Sequence, residues 1–168
     1  ALDPGIAVLS EEDADIALSE RASWQRWWLV DPLDGTKEFI SGSDEFTVNV
    51  ALIEEGRVVF GVVGVPVSGR CYSGGAGLGA KLTEADGRER PINVRNQPVA
   101  AFTVVASRRH SSPEQEQLLE GLAQRFGDLD CVSVGSSLKF CQLAQGTADV
   151  YPRLAPTSQW DTAAAQGV

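Results

Sequence analysis

Between residues 6 and 73 the apolar residues of this chain fall into short runs, at 6–10, 27–30, 47–53, 58–65 and 70–73, each closed by Gly, Pro or a charged cluster. Short apolar runs bounded in this way are strands, and several in close succession need a shared sheet. Glu54-Glu55-Gly56-Arg57 between two of them is a hairpin turn, with Gly56 where a positive φ is tolerated, so that pair is expected to be antiparallel. Residues 84–89 form a polar turn region around Asp86-Gly87, and Pro91 and Pro98 bracket a short strand at 92–94. Gly74-Gly75-Ala76-Gly77-Leu78-Gly79 lacks G-x-G-x-x-G spacing and has no helix pattern after it, so it reads as a hairpin connection.

Beyond Pro98 the texture alternates. A strand at 102–106 precedes a helix opened by Ser112 as N-cap, Pro113 in the first turn and Gln115 closing a capping box. Leu118, Leu119, Leu122 and Phe126 share one face of that helix, and Gly127 ends it. A strand at 131–134, a helix at 138–145 and a strand at 149–153 follow. The expected organisation is an antiparallel-sheet half over residues 1–98 and a partial α/β half over residues 99–168.

Charge narrows the partners. The chain carries a net charge of −9, and residues 1–46 hold 11 acidic against 3 basic side chains. So acidic a surface lacks the basic footprint that duplex nucleic acid or an anionic membrane requires, and it suits metal cations. No apolar stretch reaches the roughly 20 residues of a membrane helix, and no signal peptide pattern opens the chain, which reads as intracellular. Cys71, Cys131 and Cys141 have neither disulfide-framework nor zinc spacing and read as buried free thiols.

The strongest chemical signal is Trp27-Trp28-Leu29-Val30-Asp31-Pro32-Leu33-Asp34-Gly35-Thr36-Lys37-Glu38-Phe39. An apolar strand delivers two carboxylates, three residues apart, into a turn set by Pro32 and released by Gly35. Asp31, Asp34 and the Leu33 carbonyl can supply the oxygens a hard cation prefers. Gly35 and Thr36 offer backbone N–H groups to a phosphate. The plainer reading is a turn whose aspartates cap backbone amides. Ser10-Glu11-Glu12-Asp13, alone a solvated charge run, can add a carboxylate to such a site.

These residues resemble a family. The D-P-x-D-G-T run from Asp31 to Thr36, the upstream Ser10-Glu11-Glu12 and the tail Gln159-Trp160-Asp161-Thr162-Ala163-Ala164-Ala165 are similar to three ordered motifs of the inositol monophosphatase superfamily. Lys37-Glu38 and Gly135-Ser136-Ser137-Leu138-Lys139-Phe140-Cys141 look most like its 3'(2'),5'-bisphosphate nucleotidase branch. The resemblance implies a layered α/β/α sandwich and an Mg²⁺-dependent phosphomonoesterase that converts adenosine 3',5'-bisphosphate to AMP and phosphate. Two or three Mg²⁺ ions are implied.

By position in these motifs, Glu11, Asp31 and the Leu33 carbonyl would hold a first ion, and Asp31, Asp34 and Asp161 a second. Glu12 would help to place a weaker one through water. Thr36 with Glu11 would orient the attacking water, with Asp34 also counted in the catalytic set. Glu11, Leu33, Asp34, Gly35, Thr36, His110, Ser137, Lys139, Arg153 and Asp161 would line the substrate site, and Arg108-Arg109-His110 resembles a nucleotide-contacting segment. Read from the residues alone, Ser136, Ser137 and Lys139 are better taken as an N-cap beside an exposed lysine, and His110 as a solvent-exposed loop histidine.

The resemblance further implies a cytoplasmic enzyme for a small nucleotide. It leaves room for a homodimer and for a peripheral place at the cytoplasmic face of the inner membrane, without strong membrane association. Ala165 stands where the family carries Gly. With no Met at position 1 and an end inside what reads as a starting helix, the chain is expected to be a fragment, lacking the family's first helices and last strands.

Three other readings remain open. An inositol or fructose phosphatase of the same superfamily would share the metal site and differ in the pocket. A haloacid-dehalogenase-type enzyme would use Asp31 as nucleophile, but its D-x-D-G-T places one residue between the carboxylates where Pro32-Leu33 makes two. A non-catalytic metal-binding remnant would keep the carboxylates without turnover.

Overall fold

The computed structural model describes residues 2–97, 101–106 and 112–168. Seven strands form one sheet in sequence order: β1 (Ala7–Ser10), β2 (Arg26–Asp34), β3 (Thr47–Glu54), β4 (Arg57–Val65), β5 (Arg70–Gly75), β6 (Gly79–Thr83) and β7 (Glu89–Ile92). Short helices α1 (Leu18–Arg21) and α2 (Thr36–Ile40) flank β2. The β3–β4 loop is the expected two-residue turn, with φ of 48° at Glu55 and 74° at Gly56. Positive φ at both positions matches the twist of the flanking strands. All neighbours from β2 to β7 are antiparallel, but β1 pairs parallel to β2, so the sheet is mixed.

A second sheet pairs β8 (Phe102–Ala106) parallel to β9 (Leu129–Ser133), joined through α3 (Pro113–Phe126). The Ser112 hydroxyl accepts from the Gln115 amide at 3.3 Å, as the capping signal requires. Helices α4 (Leu138–Ala144) and α5 (Gln159–Gly167) complete the described chain. One face of the large sheet is apolar, with Leu29, Ala51, Ile53, Val63, Val65, Tyr72, Leu82 and Ile92 buried there against Cys141 of α4 and Ala163 and Ala164 of α5. Strand alternation puts such residues on a common side, and removal of their apolar surface from water drives the layering.

Several expectations change. Residues 149–153 are not a strand: Val150 makes an isolated bridge with Val104, and Pro152 has no N–H to extend it. The strand expected at 92–94 is Glu89–Ile92, and β6 precedes it, with Asp86-Gly87 in the turn between them. Of the three thiols, Cys141 is buried, Cys71 half-buried and Cys131 exposed, because β9 lies in a sheet of only two strands. The expected change of organisation at Pro98 lies outside the described residues.

Candidate metal centre and substrate cleft

The site is built by an irregularity in β2. Asp31 pairs with Asn49 of β3 and Asp34 pairs with Thr47, so three steps along β2 face two along β3. One extra residue in β2 is a bulge, and it changes which way the strand aims its side chains. Residues three apart on a regular strand point to opposite faces. Here Thr47 and Asn49 are two apart and share a face, so Asp31 and Asp34 share it too. The carboxylates therefore lie within the strand, rather than in a turn beyond it. Pro32 is tolerated because β1 has already ended opposite Val30, leaving no ladder partner on that side.

That face is the buried one, continued from Leu29 and Ala51 into Asp31, Asn49 and Thr47, each at most 1% exposed. Helix α5 covers it and brings Asp161 in its first turn. One oxygen each from Asp31, Asp34 and Asp161 lies within 4.8 Å of the others. Asp31 Oδ1 accepts from the Leu33 amide at 2.9 Å, while its Oδ2 is buried with no hydrogen-bond partner. Burial raises the Asp31 pKa to about 7, opposed by the Leu33 amide and reinforced by the charges of Asp34 and Glu11.

Asp161 Oδ2 accepts from the Thr157 hydroxyl at 2.7 Å and the Ser158 amide at 3.0 Å. Among the described residues no ion pair reaches any of the three aspartates. A buried carboxylate oxygen without a donor, beside two further carboxylates, is a costly arrangement unless a cation is shared between them. The residues present fit a divalent metal.

Beside the carboxylates opens a cleft of about 490 Å³ lined by Glu11, Asp34, Gly35, Thr36, Ser137, Lys139, Arg153 and Asp161 among others. Glu11 is exposed there and interacts with Asp31. Its neighbour Glu12 is exposed and is not among the cleft residues. The Leu33 carbonyl accepts from the Thr36 hydroxyl at 3.3 Å. Gly35 has a φ of 91°, and a Cβ on it would stand 3.1 Å from both the Glu45 carbonyl and Ser136 Cβ, so only glycine suits the position.

Lys139 is 7% exposed, which corrects the exposed-lysine reading. Its ammonium donates to the Ser136 carbonyl at 2.8 Å and sits 5.5 Å from the centre of the Tyr151 ring. Burial lowers its pKa, an effect countered chiefly by Asp34. Arg153 is exposed, donating to the Pro156 carbonyl at 3.4 Å. Ser137 is 1% exposed, and its hydroxyl and amide both bond Asp34. Arg108, Arg109 and His110 lie outside the described residues.

Sequence reasoning missed Thr47, Asn49, Tyr151 and Thr157. A signal did exist for the first two, since polar side chains at the inward positions of Thr47-Val48-Asn49-Val50-Ala51 interrupt an otherwise apolar face.

A family model described as "Inositol monophosphatase family" matches residues 2–168, and the chain belongs to that family. The 3'(2'),5'-bisphosphate nucleotidase CysQ of Salmonella typhimurium is 49% identical over 167 residues, covering 99% of this chain and 64% of that protein. Among solved structures, CysQ from Bacteroides thetaiotaomicron, described as a bacterial member of the family, is 39% identical with a TM-score of 0.88 over 98% of this chain and 65% of that one. Mycobacterium tuberculosis SuhB is 26% identical with a TM-score of 0.74, covering 98% and 63% respectively. The chain thus spans about 64% of the length of the curated relatives it matches. Its layered mixed α/β fold is that of the family. Among the described residues no helix is long and apolar enough to cross a membrane.

Proposed function

We propose that the protein is a metal-dependent phosphomonoesterase that removes the 3'-phosphate of adenosine 3',5'-bisphosphate. The observation that carries this reading is the convergence of Asp31, Asp34 and Asp161, with an unpartnered buried oxygen on Asp31, at the mouth of a cleft holding Lys139 and Arg153. The similarity to CysQ proteins supports the nucleotide as substrate.

Glu11, Asp31, the Leu33 carbonyl, Asp34 and Asp161 would hold two or three Mg²⁺ ions. When bound, these ions supply the positive charge that phosphoryl transfer needs and make a reactive water available near neutral pH. The Thr36 hydroxyl commits its proton to the Leu33 carbonyl, which leaves its oxygen lone pairs to accept a hydrogen bond from an attacking water. Glu11 stands in the same cleft as a carboxylate able to take the proton. Lys139 keeps N–H bonds beyond the one given to Ser136, and with Arg153 it offers positive charge to the second phosphate. The Tyr151 ring beside Lys139 gives the base or ribose an apolar wall.

The test is phosphate release from adenosine 3',5'-bisphosphate and from inositol 1-phosphate under identical conditions. Mg²⁺-dependent release from the nucleotide, suppressed by Li⁺ as family membership implies, is the expected result. Preference for inositol 1-phosphate would reassign the substrate to a sugar phosphate, and an Asp34→Asn variant with full turnover would overturn the metal assignment.

A further inference from the structure

Asp34 is held through one of its two carboxylate oxygens. Its Oδ2 lies 2.6 Å from the Ser137 amide, 2.6 Å from the Ser137 hydroxyl, 3.3 Å from the Asn49 amide nitrogen and 3.4 Å from the Thr47 hydroxyl. Asn49 also donates to the Ser137 hydroxyl at 2.9 Å, and that hydroxyl is 3.0 Å from the Asp161 carbonyl. Thr47, Asn49 and Ser137 are each at most 1% exposed. The network joins Asp34 of β2 and Asn49 of β3 to Ser137 at the start of α4, 103 and 88 residues on, and through Ser137 to the first turn of α5.

Three buried polar side chains at the end of an apolar face are expensive unless each has a partner. Here the acceptor they share is one carboxylate oxygen. Donors gathered on Oδ2 fix the plane of the carboxylate, so its orientation beside Asp31 and Asp161 is set before any cation arrives. We infer that Thr47, Asn49 and Ser137 form a positioning network for Asp34, and that the Ser137 hydroxyl serves the metal centre from behind instead of binding substrate. The inference rests on the metal reading of the three aspartates. Partners of this kind, one bond removed from a metal ligand, typically control metal affinity by about 10- to 100-fold.

Calorimetric Mg²⁺ titration and steady-state kinetics on the same variants test this. Ser137→Ala keeps the backbone amide and removes the hydroxyl, and Thr47→Val keeps the shape of a fully buried side chain while deleting its donor. Ser137→Ala is expected to weaken Mg²⁺ binding about tenfold, and Thr47→Val by less, as suits its longer bond, while the nucleotide KM at saturating Mg²⁺ shifts by under about twofold. In an Asp34→Asn background the Ser137→Ala effect on Mg²⁺ binding should vanish, because the carboxylate it orients is gone. A raised KM with unchanged Mg²⁺ affinity would return Ser137 to the substrate site and overturn the inference. Equal weakening with or without the Asp34 carboxylate would show a general packing effect and overturn it as well. The metal reading fails separately: wild-type protein and Asp34→Asn would then bind Mg²⁺ alike.

Discussion

Gly61 of β4 lies directly beneath the Ala164 carbonyl of α5: a Cβ on Gly61 would stand 1.9 Å from that oxygen. Gly167, one turn on, is also in close contact, with its own hypothetical Cβ 2.5 Å from the Gly61 nitrogen. The close approach that brings α5 onto the sheet thus depends on Gly61 and Gly167. Because α5 carries Asp161 in its first turn, this contact also sets where the third carboxylate sits. Gly61→Ala must lift the helix or bend the strand, at a cost of about 1–3 kcal/mol. Urea unfolding should show that loss, and Mg²⁺ affinity should fall with it. Stability and affinity both equal to wild type would mean that α5 docks elsewhere.

Thr157 should matter to the metal centre without belonging to it. Its hydroxyl and the Ser158 amide hold the same oxygen of Asp161. Thr157→Val removes one of these two donors, so a several-fold loss of Mn²⁺ or Mg²⁺ affinity is expected, near the lower end of the range for such partners. Thr157→Ser should restore the affinity. Binding unchanged in the valine variant would show that the Ser158 amide alone orients Asp161.

Much of this arrangement was legible because it depends on local chemistry. Apolar runs marked β2 to β5, Glu55-Gly56 marked their tightest turn, and Ser112-Pro113 marked the start of α3. Asp31 and Asp34 stood out by spacing, but the bulge that aims them together follows from their pairing with Asn49 and Thr47, which one strand alone does not encode. Strand β6 escaped because Gly79-Ala80-Lys81 carries little apolar signal, and only Leu82 among its residues is buried. The apparent strand at 149–153 failed for the opposite reason: its residues suit a strand, yet its pairing with β8 stops at the single bridge of Val150 to Val104. Burial of Lys139 is likewise invisible in sequence, since it arises from tertiary packing, with the Tyr151 ring 5.5 Å from its ammonium.

Arg95 and Asp149 form a bidentate ion pair in which the side chains are 14% and 7% exposed, and Asp149 also accepts from the Thr103 amide at 2.6 Å. The Arg95 guanidinium holds the Asp149 carboxyl below the usual range, with the Thr103 amide acting in the same direction. A depressed carboxyl pKa stabilises the fold above the unfolded pKa, and the gain is lost as pH falls toward the folded value. Arg95→Met strands the carboxylate and should cost about 3 kcal/mol at neutral pH. The deficit against wild type should shrink on acidification, as followed by urea unfolding at a series of pH values. A deficit constant with pH would assign the loss to packing by the arginine stem.

Asp31 should act in the opposite sense. Its carboxyl titrates near 7 in the metal-free fold, mainly because burial penalises the charge, against an ordinary value of 3.8. Between those values the folded chain binds a proton that the unfolded chain has released, so stability falls as pH rises through the window. The loss is complete above the folded value and amounts to roughly 2–4 kcal/mol. Cation binding displaces that proton, so Mg²⁺ should recover stability above pH 7 and contribute less near pH 5. Asp31→Asn has no charge to bury, and it should remove both this pH dependence and most of the Mg²⁺ stabilisation. Thermal melts from pH 5 to 8.5, with EDTA or Mg²⁺, measure both effects. An Asp31→Asn protein with the wild-type dependence would place the titrating group elsewhere, and one still stabilised by Mg²⁺ to the wild-type extent would remove Asp31 from the metal centre.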